Sequence, residues 1–276
     1  RLAEPWSAIG KMAGGEYLKT ALDKCWKLLL QNHPHDTITG GGIDQMEKDS
    51  LFRFDQIGII SDGLTRRGMG AVQIAIDNSD LDKKDTVLTV FNPCPFPRSG
   101  VVSCYIDMPA NMGYDAFSIR TPDGKKVARI QRKEQFEWGA LIRNLQDISI
   151  ELPTQRLLCH IEVDDIPAFG YKTYHVVREA KWQYEPGSLA TETNVIENEF
   201  LRVKFNSDGT LDITHKETKQ TYSGLHYLED TGETGHSWIH MEPHGNETIT
   251  SHGSPSHIVL EEAGPLFARV RVEYHM

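Results

Sequence analysis

The sequence predicts an α+β protein, a small antiparallel helical bundle over residues 1–80 followed by β-sandwich units over 81–180 and 181–276, the last of them truncated. Three observations carry this. Apolar residues recur at helical spacing up to about residue 80, alternate at period two beyond it, and no helical stripe interrupts the later alternation. Strands in that arrangement, divided by turn signals, build sandwiches rather than layered α/β sheets.

The first helix covers about Leu2 to Met12, and Gly14-Gly15 separates it from the next. Leu18, Leu22, Cys25, Leu28 and Leu29 form the stripe of an amphipathic second helix. A longer stripe runs Ile43, Met46, Phe54, Ile57, Ile60, Leu64, Ala71, Ile74. It implies a helix of roughly 35 residues, about 50 Å long at 1.5 Å per residue. Gly58, Gly63, Gly68 and Gly70 lie inside it. Each costs about 1 kcal/mol relative to Ala, so a bend or break is expected there. After Asp80, Leu88 and Val90 read as a strand ended by Asn92-Pro93. Leu201, Val203 and Phe205, the turn Asn206-Ser207-Asp208-Gly209, then Leu211 and Ile213 read as a hairpin. Val270, Val272 and Tyr274 alternate at the end, and Pro186-Gly187 suits a linker between the β units.

Composition narrows the function. The 276 residues are 39% hydrophobic and 25% charged, which excludes a disordered or fibrous chain. The net charge of −10 argues against nucleic acid and anionic membrane as partners, since both need a basic footprint. The densest apolar run, Trp26 to Leu30, falls far short of the ~18 residues of a membrane span. Cys25, Cys94, Cys104 and Cys159 form no CxxC pair, so free thiols and a cytoplasmic setting are expected. One glycosylation triplet, Asn246-Glu247-Thr248, carries little weight against that. A chain opening on Arg1 and ending just after a strand suggests a portion of a longer polypeptide.

Three segments could carry chemistry. Asn32-His33-Pro34-His35-Asp36-Thr37-Ile38-Thr39-Gly40-Gly41-Gly42 joins the two long helices. Imidazole nitrogens and a carboxylate suit zinc, so His33, His35 and Asp36 are eligible ligands, too few to close a site. Adjacent His35 and Asp36 point apart in an extended chain and would serve different partners. A helix-capping loop, with Asp36 or Thr39 as cap and the glycines making the turn, is the competing reading. The histidines 236, 240, 244, 252 and 257 lie among Gly235, Pro243 and Gly245, which make a shared helical face improbable. The loop Asp230 to Trp238 combines carboxylates, glycines and an indole that suit sugar recognition, or is an ordinary polar loop. The pairs Asp164-Asp165 and Glu261-Glu262 read as solvated faces, because strand neighbours face opposite sides. No complete catalytic set is present.

The stretch Leu22 to Gln45 resembles the central helical domain of glycoside hydrolase family 38, the α-mannosidases, and most the bacterial members. The likeness continues through Val163 to Val176, with Pro167-Ala168-Phe169-Gly170-Tyr171 and Tyr174, then Glu197-Asn198-Glu199-Phe200, Asp208-Gly209-Thr210-Leu211 and the Asp230 to Trp238 loop. It implies an N-terminal β/α domain, a helical bundle and mutarotase-like β-sandwiches. It also implies one zinc ion held by two Asp and two His, and a retaining mechanism with an Asp nucleophile and an acid/base Asp. His35 matches the zinc ligand given by the helical domain, and Asp36 matches the neighbouring Asp that contacts mannose hydroxyls. His33 has no assured counterpart. No catalytic residue falls in this chain, because the nucleophile, the acid/base residue and the other three ligands belong to the absent N-terminal domain. The resemblance thus implies the accessory portion of a zinc-dependent α-mannosidase, inactive alone, whose partners are a mannoside and that missing domain. Homo-oligomerisation is left open. Two other classes fit the residues: a non-catalytic carbohydrate-binding, mutarotase-like sandwich, and an assembly module whose apolar helical face packs on a partner.

Overall fold

A computed structural model describes residues 2–79, 86–110, 116–121, 123–124, 127–142, 148–236 and 239–275. Four helices come first: α1 (Ala3–Met12), α2 (Lys19–Asn32), the short α3 (His35–Ile38) and α4 (Asp44–Ala75). The α2 stripe folds as its spacing dictates, with Leu22, Cys25 and Leu28 buried. Opposite it, Ser61 of α4 reaches the Cys25 thiol at 3.8 Å.

The 32-residue α4 is continuous, so its glycines do not break it. Gly68 instead permits a close crossing. A Cβ there would stand 2.3 Å from the Trp6 carbonyl oxygen on α1, and one on Gly10 would stand 2.8 Å from Gly68 Cα. The buried line of α4 is Leu64, Gly68 and Val72, four residues apart, rather than the whole expected stripe. Ile43 (71% exposed) and Ile74 (88%) stand in solvent, as do Leu51, Phe52 and Ile59. The periodicity is real, but among the described residues nothing covers Ile43, Met46, Phe54 or Ile74.

Seven strands follow: β1 (Thr86–Phe91), β2 (Arg98–Pro109), β3 (Phe117–Arg120), β4 (Val127–Ala128), β5 (Ile130–Ile142), β6 (Ile150–Ile166) and β7 (Tyr171–Arg178). They form an antiparallel sheet of order β1-β7-β3-β4 and another of order β2-β6-β5. The two enclose one core in which Leu157, Cys159, Ile161 and Val163 of β6 meet Ile119, Tyr174 and Val176. This is period-two burial between two sheets. The helices join the sandwich at an aromatic contact, Trp6 edge-on to Phe91 with centroids 5.0 Å apart.

Beyond it lie β8 (Ala190–Glu192), β9 (Val195–Glu197), β10 (Leu201–Phe205), β11 (Leu211–His215) and β12 (Thr221–Leu225), forming a sheet of order β12-β11-β10-β9-β8. The expected hairpin is β10–β11, closing at Phe205↔Leu211 around Gly209 with φ +84°. A short pair, β13 (Glu229–Asp230) with β14 (Ile249–Thr250), precedes the terminal hairpin of β15 (Ser256–Ala263) and β16 (Ala268–Tyr274).

The terminal hairpin locks onto the sandwich. His160 is 3% exposed on the outer face of β6, where its ring stacks on Phe267 at 4.3 Å. Its Nε2 lies 2.7 Å from Glu262 Oε1 and its Nδ1 2.8 Å from Ser103 Oγ. Beside it, the Gln131 amide donates to Glu262 and to the Phe267 carbonyl, while its oxygen accepts from the N–H groups of Leu266 and Phe267. The Glu261-Glu262 pair therefore corrects one expectation. Glu261 is a solvated partner of Arg271, but Glu262 is buried in this joint. Asp164 stays half-exposed beside Lys172, as expected of a solvated face.

Candidate functional site

The His35-Asp36 turn is built from both ends. Helix α2 stops at Asn32, and Pro34, in an extended conformation (φ −51°, ψ 139°), starts α3 afresh. The N–H groups of Thr37 and Ile38 both reach the Pro34 carbonyl at 3.0 Å. At the far end, the Gly41 N–H donates to the Asp36 carbonyl and the Gly40 N–H to Thr37, with Gly40 at φ +80°. This is the Schellman closure, which needs a left-handed residue at the position Gly40 occupies. No side chain caps the N-terminus of α3, and Asp36 takes no capping role, whereas Thr39, the C-cap residue, donates its hydroxyl back to the His35 carbonyl at 2.6 Å.

Asn32 moors this turn to α4. It is wholly buried; its Nδ2 donates to the Ser50 carbonyl at 2.8 Å and its Oδ1 accepts from Arg53 Nη1 at 3.1 Å. Beside it lies a hollow of about 280 Å³, lined by Asn32, Thr37, Ile38, Met46, Ser50 and Phe54 among others. The sequence reading missed Asn32 and Arg53. The available signal was an amide in the last turn of an amphipathic helix, immediately before His-Pro.

On this platform the His35 side chain is 91% exposed and Asp36 half-exposed, with His35 Nε2 3.1 Å from Asp36 Oδ1. The expectation that they point apart does not hold, because they occupy a helical turn, not an extended chain. Asp36 Oδ1 is shielded from solvent and faces His35 Nε2 without a hydrogen bond of good geometry. A carboxylate oxygen beside an exposed imidazole nitrogen has the chemistry of a partial cation site. It is partial: among the described residues no three His, Cys, Asp or Glu converge on one point. His33 is exposed at the end of α2.

The C-terminal histidines do not assemble. His240 pairs with Glu233 at 2.8 Å, His252 lies 3.8 Å from Asp208, and His257 lies 3.4 Å from Glu273. The 230–238 loop spends its main carboxylate on itself. Glu233 accepts from the N–H groups of Gly235, His236 and Met241 and from His240. These bonds, that of the Met241 N–H foremost, pull its carboxyl down to about 2. Glu233 is thus an internal anchor, not the sugar acceptor its composition suggested. Ser237 and Trp238 lie outside the described residues.

The fold matches that of solved glycosyl hydrolases of family 38. Residues 196–276 match the model of the "Glycosyl hydrolases family 38 C-terminal domain". The chain superposes on an α-mannosidase from Enterococcus faecalis V583 with a TM-score of 0.86 and 24% identity, covering 99% of this chain and 33% of that one. A second family 38 protein from Enterococcus faecalis gives 0.84 at 25% identity, over 99% and 34%. In sequence the chain is 23% identical to a putative mannosylglycerate hydrolase of Halalkalibacterium halodurans, over 90% of this chain and 30% of that protein. The family 38 resemblance is therefore borne out, and the chain spans about a third of the length of the relatives it matches.

Proposed function

We propose that this chain is the helical and β-sandwich portion of a retaining, zinc-dependent α-mannosidase, with a bundle over residues 1–80 and β units over 81–180 and 181–276. The observation that carries this reading is the His35-Asp36 turn, clamped by Pro34, Gly40 and Asn32, on a fold shared along its whole length with an α-mannosidase. His35 would hold the metal through a ring nitrogen, and the half-exposed carboxylate of Asp36 would accept hydrogen bonds from mannose hydroxyls. A bound zinc ion supplies Lewis-acid contact to the sugar hydroxyls. Asn32 keeps both side chains in register with α4, so substrate meets a preset geometry. The chain brings two site residues and no nucleophile, and alone it is inactive. The substrate is a mannoside, as the names of the relatives suggest, and the four thiols suit a cytoplasmic setting. No described helix is long and apolar enough to cross a membrane.

The test is hydrolysis of an aryl α-mannoside by the longer polypeptide carrying this chain. Asp36→Asn should raise KM and lower kcat/KM by about tenfold or more, the loss of a charged hydrogen bond. Unchanged kinetics would refute the assignment. The carbohydrate-binding alternative has one observation in its favour, a cleft of about 830 Å³ between the β units, lined by charged residues such as Glu162 and Glu199 among apolar ones.

A further inference from the structure

The first sandwich holds two cysteines that the α3 turn does not involve. Strands β2 and β6 are antiparallel, and Cys104 and Cys159 stand directly opposite each other in their register. Both belong to the side of the sheet that faces the core, Cys159 within the buried cluster and Cys104 packed against it. Their sulfurs are 4.0 Å apart, and the Cys159 sulfur also lies 3.8 Å from the Cys104 carbonyl oxygen. Directly opposed antiparallel residues have Cα atoms about 4.5–5.5 Å apart, inside the range of about 4.4–6.8 Å that a disulfide spans. Bonding at about 2.05 Å would need each sulfur to move about 1 Å. The two thiols differ in access. Cys159 is wholly buried, whereas Cys104 is half-buried on β2, the edge strand of the order β2-β6-β5. They differ in acidity as well. The hydrogen bond from Cys159 draws the Cys104 thiol below its ordinary value, against the effect of burial. The same bond, then burial and the Cys104 charge, hold the Cys159 thiol above its own.

We propose that this pair is a redox modification site, in which hydrogen peroxide oxidises Cys104 and Cys159 closes a reversible disulfide between β2 and β6. The accessible, more acidic thiol takes the oxidant. The Cys104 thiolate attacks one peroxide oxygen and the O–O bond breaks. The other oxygen leaves as hydroxide and takes the proton that Cys104 gave up, forming water. Cys104 is then a sulfenic acid. The Cys159 sulfur displaces the hydroxyl group from the Cys104 sulfur, and that group departs as water with the Cys159 proton. In total, two thiols lose two hydrogens and the peroxide is reduced to two waters. A thiol reductant reverses the bond by exchange at Cys104, the sulfur it can reach. The other two cysteines are built-in comparisons. Cys25 faces Ser61 between α2 and α4, and Cys94 follows β1 beside Arg98.

The experiment treats the folded, longer polypeptide carrying this chain with hydrogen peroxide, quenches it, alkylates the remaining thiols under denaturing conditions and maps the peptides by mass spectrometry. A linked pair of peptides joining Cys104 to Cys159, lighter by two hydrogens, is expected. Both thiols should be lost to alkylation together while Cys25 stays alkylatable, and dithiothreitol should restore both. Cys159→Ala should trap Cys104 as a sulfenic acid that dimedone labels. Cys104→Ala should leave Cys159 alkylatable, because a wholly buried thiol has no route of its own to the oxidant. Circular dichroism checks that the variants fold, and the wild-type map decides the matter without them. The proposal is overturned if Cys104 and Cys159 both remain thiols at a dose that fully oxidises an equal amount of free glutathione. It is overturned equally if Cys104 links to a different cysteine, or if the link forms only after the protein is unfolded in urea.

Discussion

Replacing Gly68 by Ala tests the crossing of α1 over α4. A Cβ at this position would lie 2.3 Å from the Trp6 carbonyl oxygen and 2.5 Å from its carbon, about 1 Å inside the ordinary contact distance of 3.4 Å. The obstacle is backbone, so no rotamer relieves it and α1 must move off α4. Such overpacking costs about 1–3 kcal/mol. Because Trp6 also stands edge-on to Phe91, shifting α1 puts at risk an aromatic pair of about 0.5–1.5 kcal/mol. Against this stands the gain of about 1 kcal/mol that Ala brings to a helix interior. The net expectation is a loss of about 1–3 kcal/mol, or several degrees in melting temperature. Gly58, Gly63 and Gly70 are internal controls on the same helix, since a Cβ on any of them meets nothing within 4 Å. Alanine there should stabilise by up to about 1 kcal/mol each. Thermal and urea unfolding followed by helical circular dichroism reads all four variants. If Gly68→Ala stabilises as the controls do, α1 and α4 do not cross at this point and the reasoning fails.

Three further outcomes are expected. Asn32→Ala strips partners from Arg53 and the Ser50 carbonyl, so unfolding should show a loss of about 1–3 kcal/mol, with faster amide exchange across residues 33–42. Gln131→Ala leaves the N–H groups of Leu266 and Phe267 without their acceptor and should cost about 1–3 kcal/mol, read as early proteolytic release of the β15–β16 hairpin. Glu233 has a folded pKa depressed to about 2, below the ordinary carboxyl value of about 4.5, so its contribution is present above about 4.5 and disappears as pH falls towards 2. The amide signals of Gly235 and Met241 should therefore titrate near pH 2, and a midpoint near 4.5 would mean that the loop is not tied as described.

Local patterns were readable and distant partnerships were not. The α2 stripe and the β10–β11 hairpin follow from spacing, because each buries or pairs residues within a few positions. The glycines of α4 were misread as weak points, since the one that matters is defined by α1, some sixty residues away. Glu262 resembled a surface carboxylate because its partner His160 lies 102 positions earlier, on the outer face of another sheet. Ile43, Met46 and Phe54 of the α4 stripe read as core yet lie exposed among the described residues, which suits an assembly module as well as a hydrolase portion. At the site, the residues His35 and Asp36 were legible as chemistry. Their mutual approach was not, because a four-residue helix leaves no periodic trace, and neither was Asn32, whose partners sit 18 and 21 positions away.

The most direct test of the account is the zinc content of the longer polypeptide, wild type against His35→Ala, measured by elemental analysis after dialysis. About one zinc per subunit should fall to a small fraction in the variant while the fold is retained, as loss of a metal ligand would entail. Equal zinc in both proteins, or none in the wild type, would contradict the assignment of His35 and with it the reading of this turn as part of a metal-dependent mannosidase.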